Sequence, residues 1–309
     1  MSLFGKKRKV KQPLSDTIFD TSNVVIMTIL VIVTVFPLLY LIAAAFSDGT
    51  SMPSVLFLPM IDRGNGPEIG ITLDNFKYII FEYDNGIFLN SIKNTAIITV
   101  CVTLGSNILM ALAAYPLSKP NCPCRTGLLV FFMIVMLFSA GIIPSYLLMT
   151  EVKLTGNILG IILISLTNVF NLLLFKTTFE GIPKELEESA QLDGATSLQM
   201  FFKIIIPITL PTFASCCFFT LVGCINGYSS AILFIRNNAE AKPMAQILYE
   251  LVTTAASSKG GNEQLEFLMD NLFNIQSAGI ILSTIPILII YPFIIRYIKS
   301  GVTLGSVKG

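Results

Sequence analysis

The sequence predicts an all-α integral membrane protein, with six transmembrane helices and a short cytoplasmic helix between the fourth and the fifth. Composition is the first observation: 53% of the 309 residues are hydrophobic and only 13% are charged, whereas a soluble domain carries about 25% charged residues. The second is six apolar runs, each long enough to cross roughly 30 Å of hydrocarbon. The third is a polar segment between two of these runs. Because lipid leaves exposed backbone groups unpaired, each run must be helical.

The six apolar runs define the predicted spans. They occupy residues 24–46, 94–115, 127–149, 158–175, 204–235 and 275–295. Together they form a membrane domain over residues 24–300, with an N-terminal segment (1–23) before it and a tail (301–309) after it. The fourth run is short and the fifth is long, so their ends are the least well defined.

The predicted spans contain no Asp, Glu, Lys or Arg. Ionisable groups inside a membrane are costly and usually mark proton or ion pathways. Their absence argues against a proton-driven carrier and against an intramembrane enzyme. The sequence also lacks the phosphate-binding pattern G-x4-G-K-[ST], so the chain is not expected to bind ATP by that route.

Basic residues predict the orientation. The chain carries 20 Lys and Arg, and most fall on one side of the membrane, in the shorter connections, if the N-terminus is inside. The positive-inside rule therefore predicts two cytoplasmic termini. The basic run at residues 6–11 resembles a nuclear localisation signal, but before a long apolar run it is typical of a cytoplasmic anchor. That apolar run is too long for a signal peptide and should stay uncleaved.

A polar segment at residues 183–194 predicts the short helix. Pro183 suits the first helical turn, where its missing N–H costs nothing. Three acidic residues crowd the N-terminal half, where they complement the helix dipole. They are Glu185, Glu187 and Glu188. Gly194 can adopt a left-handed conformation and end the helix. Thr196 and Gln199 have the spacing of a capping box that opens the next helix.

This segment resembles the Glu-Ala-Ala loop of ABC-importer permeases. The family pattern is Glu-Ala-Ala-x3-Gly-x9-Ile-x-Leu-Pro, and the chain departs from it at Ser189 and Ile206. In that family the short helix docks in a groove on a cytoplasmic ATPase subunit. The resemblance thus implies a set of coupling residues: Glu187, Glu188, Ser189, Ala190, Asp193, Gly194, Ile204 and Pro207. The alternative is an ordinary amphipathic connector.

The resemblance extends over most of the chain, including residues 113–119 and 171–183. Residues 286–293 and 301–309 look like the carbohydrate branch related to the maltose permease, in the subgroup associated with complex plant or host glycans. In that branch the tail reaches between the ATPase subunits, which implies a contact role for Gly305, Ser306 and Lys308. The family often has Trp-Asn in the fifth span, but here Ile225 precedes Asn226 and the chain has no Trp.

The resemblance implies a permease subunit of a bacterial type I ABC importer for oligosaccharides, in the cell membrane. Its expected partners are a second, non-identical permease, two ATPase subunits, an extracytoplasmic solute-binding protein and membrane lipid. It would not itself be an enzyme and would need no cofactor; the net charge of +1 does not suggest nucleic acid. Three alternatives stay open: an ABC importer for another solute, a passive channel or secondary carrier, and a membrane scaffold or sensor.

Uncharged polar residues mark a candidate substrate path. Sugars need amides, hydroxyls and aromatic rings more than charge. The candidates are Asn168, Asn171, Asn226 and Tyr228. The alternative for each Asn is a hydrogen bond between helices that only supports packing.

Two other features of the sequence each allow two interpretations. The external segments 47–92 and 236–274 are either docking surfaces for an extracytoplasmic partner or caps on the bundle. Cys122 and Cys124, in a loop that contains proline, are read as reduced thiols, with a metal pair as the alternative.

Overall fold

The computed structural model describes residues 14–49, 58–64, 66–138, 140–235, 238–255 and 270–305, and these residues are nearly all helical. Fourteen helices are labelled in chain order within that part of the chain. They are α1 (Leu14–Ala45), α2 (Asp74–Lys77), α3 (Ile87–Leu117), α4 (Arg125–Leu137), α5 (Ile142–Glu151), α6 (Ile158–Ser165), α7 (Val169–Glu180), α8 (Lys184–Leu192), α9 (Ser197–Met200), α10 (Ile206–Ile208), α11 (Leu210–Ile225), α12 (Tyr228–Phe234), α13 (Met244–Ala255) and α14 (Leu272–Gly305). Tighter or wider helical turns cover Tyr78–Glu82, Tyr83–Gly86, Phe201–Ile205 and Ala239–Ala241.

A small β-hairpin is an exception to the predicted all-α fold. Strands β1 (Met60–Asp62) and β2 (Pro67–Ile69) pair antiparallel between α1 and α2. The turn is possible because Gly64 and Gly66 have φ angles of 91° and 103°, which other residues rarely adopt. The Asp62 carboxylate accepts the Gly64 N–H at 2.7 Å. The hairpin lies outside the apolar runs, where strand edges can be hydrated.

Four helical segments are long and apolar enough to cross a membrane: Ile18–Ala45, Ile87–Leu117, Ile158–Glu180 and Leu272–Tyr297. Two further pairs of helices would each make a bent span. The described part of the chain therefore has four candidate spans, or up to six if each bent pair counts as one.

The third apolar run, predicted as one helix over 127–149, is broken. Helices α4 and α5 meet at 106°. Gly141, directly before α5, has a φ of 83°, outside the right-handed helical region. The apolar pattern did not reveal this break, because it continues through a residue that can leave the helical conformation.

The fifth run, predicted over 204–235, is also divided. The segment Ser197–Ile208 meets α11 at 81°. Pro207 and Pro211 both lack a backbone N–H near this bend, which accounts for the kink. A second break follows at Asn226 and Gly227, between α11 and α12.

The fourth run contains a shorter break, between α6 and α7. The Asn168 side chain accepts the Asn171 N–H at 3.1 Å and so caps α7. The side-chain oxygen satisfies a backbone N–H at the first turn of α7, and this favours the start of a new helix here. The outer helices are longer than the apolar runs predicted: α1 begins at Leu14 and α14 continues to Gly305.

Helix α3 is the centre of the packing. It packs against α7 and α11, and α11 packs against α14, which also contacts α1. One apolar core surrounds the end of α3 and contains the buried rings of Phe175, Phe179 and Phe201. Ile182, which precedes the short helix α8, belongs to this core.

Candidate functional site

Helix α8 is the short helix that the polar segment predicted. It begins at Lys184, with Pro183 as its N-cap rather than inside the first turn. Gly194 follows its C-cap with a φ of 79°, as expected from the sequence. The Ala195 N–H donates to the Ala190 carbonyl at 3.0 Å, and the Gly194 N–H donates to the Gln191 carbonyl at 3.0 Å. These two bonds form a Schellman motif, which ends the helix firmly.

The next helix begins with the predicted capping box. The Gln199 N–H donates to the Thr196 hydroxyl at 3.3 Å, and the Thr196 N–H donates to the Gln199 side chain at 2.9 Å. Both ends of the connection at residues 193–196 are therefore fixed by hydrogen bonds. A connection of this kind holds α8 at a defined angle to the segment that leads into α11.

An ion pair ties α8 to the end of α3. The Lys119 ammonium pairs with the Glu187 carboxylate, and these side chains are only 30% and 15% exposed. The ammonium also lies 4.6 Å from the centre of the Tyr115 ring. Ile182 and Ala190 are buried on the same side of the segment. Partial burial shields the pair from solvent, so it holds α8 more firmly than an exposed pair would.

A second group of polar contacts joins the ends of α7 and α4 to the end of α3. Glu180 at the end of α7 pairs with Lys176 at 2.8 Å and with Arg125 at the start of α4. The Arg125 Nε donates to the Leu117 carbonyl at 2.9 Å, at the end of α3. This end of the bundle is thus cross-linked by polar contacts, and α8 lies on it.

The predicted coupling residues divide into two sets. Glu187 and Ala190 face the bundle, while Glu188, Ser189, Asp193 and Gly194 are exposed. Ile204 is half-buried and Pro207 is exposed near the bend before α11. Two leucines beside the exposed set were missed by the sequence reasoning: Leu192 is 89% exposed and Leu198 is 64% exposed. Their signal was an apolar residue on each side of Gly194, in an otherwise polar segment.

Asn171, one of the candidate path residues, is buried in a polar cluster. Its amide donates to the Asn107 side chain at 3.0 Å and to the Thr220 hydroxyl at 3.1 Å. Asn107 also donates to Thr220, at 3.3 Å. The cluster joins α3, α7 and α11, so Asn171 has the contacts that the packing alternative requires.

The other three candidates do not cluster with Asn171. Asn168 is half-buried and caps α7. Asn226 and Tyr228 are exposed at the break between α11 and α12. The Tyr228 ring stacks on Tyr249 of α13, with 5.1 Å between ring centres and 13° between ring planes. Tyr249 was not predicted, because nothing in the sequence brings α13 next to α12.

A cavity of about 240 Å³ opens between α3, α6 and α11. Asn168 lines it together with Ser165, Thr220 and Ser230. The two serines were also missed, since a single serine in an apolar run gives no distinctive signal.

Several predicted residues lie outside the described residues. Gly305 ends α14, whereas Ser306, Lys308 and the basic run at residues 6–11 lie outside the described residues. All six cysteines fall within the described ranges and are free, including Cys122 and Cys124.

These features define a membrane protein with a polar helix fixed to one end of its bundle. The family model described as "Binding-protein-dependent transport system inner membrane component" matches residues 96–304. The chain belongs to this family, and it is a multi-pass inner-membrane protein. The resemblance to ABC-importer permeases is therefore confirmed.

Two curated relatives are sugar permeases. The chain is 31% identical to the polygalacturonan/rhamnogalacturonan transport system permease protein YtcP of Bacillus subtilis, over 96% of this chain and 100% of the relative. It is 27% identical to the arabinooligosaccharides transport system permease protein AraQ of Halalkalibacterium halodurans, over 90% of this chain and 92% of the relative.

A solved structure has the same fold. It is the crystal structure of a bacterial ABC transporter involved in the import of the acidic polysaccharide alginate. The TM-score is 0.79 at 28% identity, over 94% of this chain and 99% of that chain. The relatives and this structure agree with the carbohydrate branch that the sequence indicated.

Proposed function

We propose that this chain is one of two non-identical permease subunits in an ATP-driven importer of oligosaccharides. The observation that carries the proposal is α8, which is capped at its C-terminus, held to α3 by Glu187 and exposed on the opposite side through Glu188 and Leu192. A helix held in this way can pass on a displacement. Membership of the family supports the same reading.

The expected partners follow from the family and from the relatives. A binding-protein-dependent system requires an extracytoplasmic solute-binding protein. The sugar substrates of YtcP and AraQ support an oligosaccharide as the cargo. ATP hydrolysis is assigned to two separate ATPase subunits, because this sequence lacks the phosphate-binding pattern.

In the proposed mechanism, closure of the ATPases displaces α8. The exposed residues Glu188, Ser189, Asp193 and Gly194 contact the ATPase, while Glu187 and Ala190 keep α8 against the bundle. Displacement then reaches α3 through Lys119, and it reaches α11 through the bend around Ile204 and Pro207. Since α3 and α11 both line the cavity, their movement would change its access from one side of the membrane to the other.

The topology belongs to the same proposal. Each bent pair of helices counts as one span, which makes six, and both termini are cytoplasmic. The tail residues Gly305, Ser306 and Lys308 reach the ATPase subunits. Asn168, Asn226 and Tyr228 lie along the substrate path, and Asn171 keeps α7 in register with α3 and α11.

Site-directed cross-linking tests the proposed coupling surface. The chain would be made without its native cysteines, carry Ser189→Cys, and be assembled with its partner permease and ATPases in proteoliposomes. We expect Ser189→Cys to cross-link to an ATPase subunit and the cross-link to block ATP-dependent uptake. The matched control is Ser229→Cys, an exposed serine in α12 beyond the other end of α11. Cross-linking of the ATPase to residue 229 instead of residue 189, or uptake that proceeds without hydrolysable ATP, would contradict the proposal.

A further inference from the structure

The cavity between α3, α6 and α11 has an unusual chemical lining. Its residues include serines, threonines, one amide and the ring of Phe219, and none of them is Asp, Glu, Lys or Arg. Its volume of about 240 Å³ is slightly below the usual 300–1,000 Å³ of small-molecule sites. The space therefore suits one sugar unit rather than a chain of several.

Three polar groups at this cavity retain hydrogen-bonding capacity. Within the described part of the chain, the hydroxyls of Ser165 and Ser230 and the amide nitrogen of Asn168 make no hydrogen bond. Hydroxyls and amides that lack partners in a half-buried site gain by binding a ligand that can donate and accept. The hydroxyl groups of a sugar do both.

Two threonines that also line the cavity differ from these groups, because their hydroxyls already make hydrogen bonds. The Thr95 hydroxyl donates to the Ser91 carbonyl at 2.8 Å and accepts the Met244 N–H at 2.8 Å. The Thr220 hydroxyl donates to the Cys216 carbonyl at 2.9 Å and accepts from Asn107 and Asn171. The capacity to bind a ligand is thus concentrated in Ser165, Asn168 and Ser230.

An apolar surface faces the same space. Phe219 lines the cavity and its side chain is 61% exposed. An aromatic ring at this position can cover the C–H face of a sugar. Gly223, one turn further along α11, leaves open space, because a Cβ placed there would meet no atom within 4 Å. The Phe219 ring, the open space beside Gly223 and the polar groups without partners together match an uncharged pyranose or furanose unit.

A uronate would bind poorly in this place. Its carboxylate would lose water and find no cation among the lining residues. A buried charge without a partner is far more costly than a buried hydroxyl.

We propose that this cavity is a subsite for one uncharged sugar unit, with Ser165, Asn168 and Ser230 as hydrogen-bonding residues and Phe219 as the apolar face. The inference rests on the proposed importer function and makes it more specific. It also separates this chain from the importer of the acidic polysaccharide alginate that shares its fold.

A cavity-filling substitution tests the subsite. Gly223→Leu should occupy the open space without disturbing packing, and we expect it to raise the KM for a neutral trisaccharide by at least tenfold. Gly127→Leu in α4 is the matched control: at this helical glycine, too, an added Cβ would meet no atom within 4 Å, but the residue lies away from the cavity. The assay is ATP-dependent uptake by the assembled complex in proteoliposomes, with arabinotriose, galactotriose and maltotriose as neutral probes and trigalacturonate as the acidic probe.

Two smaller substitutions test the subsite independently, in case the Gly223→Leu variant misfolds. Ser165→Ala and Ser230→Ala each remove one hydrogen bond, so we expect a three- to tenfold rise in KM, with unchanged thermal unfolding of the complex. Wild-type KM in all three variants would overturn the subsite.

The probes separate the two proposals. Import of trigalacturonate in preference to every neutral probe would overturn the uncharged subsite and leave the importer function intact. ATP-dependent import of a neutral trisaccharide that is lost in Gly223→Leu but kept in Gly127→Leu supports both. If no probe is imported, both proposals fail.

Discussion

Lys119 at the end of α3 and Glu187 in α8 form an ion pair whose two side chains are largely shielded from solvent. The pair connects the helix at the centre of the bundle to the helix that is exposed on its end. It also shows that two adjacent glutamates have different surroundings, because Glu188 is exposed while Glu187 faces inward.

Breaking this pair should loosen α8. We expect Lys119→Met to leave Glu187 without its partner and to lower the free energy of unfolding by about 1.5–3 kcal/mol. ATP-driven uptake should fall as well, since α8 would no longer move together with α3. Thermal unfolding and uptake of the assembled complex measure the two effects.

The charge swap Lys119→Glu with Glu187→Lys provides the internal control, and it should recover part of both losses. Lys77→Met removes one partner of the exposed pair with Asp74 and should change neither measurement. Equal effects of Lys77→Met and Lys119→Met would count against a specific role for the buried pair.

Gly194→Val should disrupt the end of α8. A β-branched residue resists the φ of 79° that Gly194 adopts, at a cost of about 1–3 kcal/mol. We expect the complex to lose substrate-stimulated ATPase activity or to fail to assemble. Gly127→Val, in a regular and open part of α4, should leave both intact. Normal stimulated turnover in Gly194→Val would refute the requirement for this turn.

Glu188→Lys should affect coupling without affecting stability. The side chain is exposed and no described residue forms an ion pair with it, so the isolated fold should lose only the small interaction with the helix dipole. The reversed charge should weaken contact with the ATPase and reduce stimulated turnover, measured as ATP hydrolysis with and without the loaded binding protein. Glu68→Lys in β2, also exposed, is the control. If Glu188→Lys keeps the full stimulation of ATP hydrolysis by the loaded binding protein, coupling must depend on other residues of α8.

Asn171→Ala should lower stability and leave the KM for the sugar nearly unchanged, whereas Asn226→Ala should do the reverse. Removing Asn171 leaves the buried Asn107 carbonyl oxygen without its donor, so we expect a loss of about 1–3 kcal/mol in stability and little change in KM. Asn226 is exposed, so its removal should spare stability. We expect Asn226→Ala and Tyr228→Ala to raise the KM for the sugar about three- to tenfold. Unchanged sugar dependence in both variants would assign substrate contact to the partner permease.

The orientation can be tested by labelling. Both termini are expected in the cytoplasm because Lys and Arg are concentrated on that side. A single cysteine at position 2 or 308, in a chain without the native cysteines, should not react with a membrane-impermeant reagent added outside intact cells. Reaction after permeabilisation is the control. Labelling of either position in intact cells would reject the predicted topology.

The parts of the structure that the sequence predicted are those with local causes. A glycine after a polar helix, and Thr196 three residues before Gln199, specify a turn through bonds between near neighbours, and the structure contains those bonds. The bend near Pro207 is local in the same way, since proline removes a donor wherever it stands.

The features that the sequence reasoning missed depend on distant partners. Glu187 and Glu188 have the same chemistry but point in different directions around α8, and the position of Lys119 on α3 shows which of them faces inward. Tyr249 meets Tyr228 because α13 folds back onto α12. The break at Gly141 was missed for another reason: hydropathy reports whether a segment suits lipid, and it is insensitive to one residue that leaves the helix.

The doubly capped turn at residues 193–196 has a thermodynamic consequence. A stiff connection between two sites has no preferred direction, and linkage requires that each ligand change the affinity of the other by the same factor. If a bound sugar strengthens the association of the ATPase with α8, the docked ATPase must strengthen the binding of the sugar equally. Measuring either affinity with and without the other ligand therefore gives the same free energy of coupling, and Gly194→Val should bring both differences towards zero together.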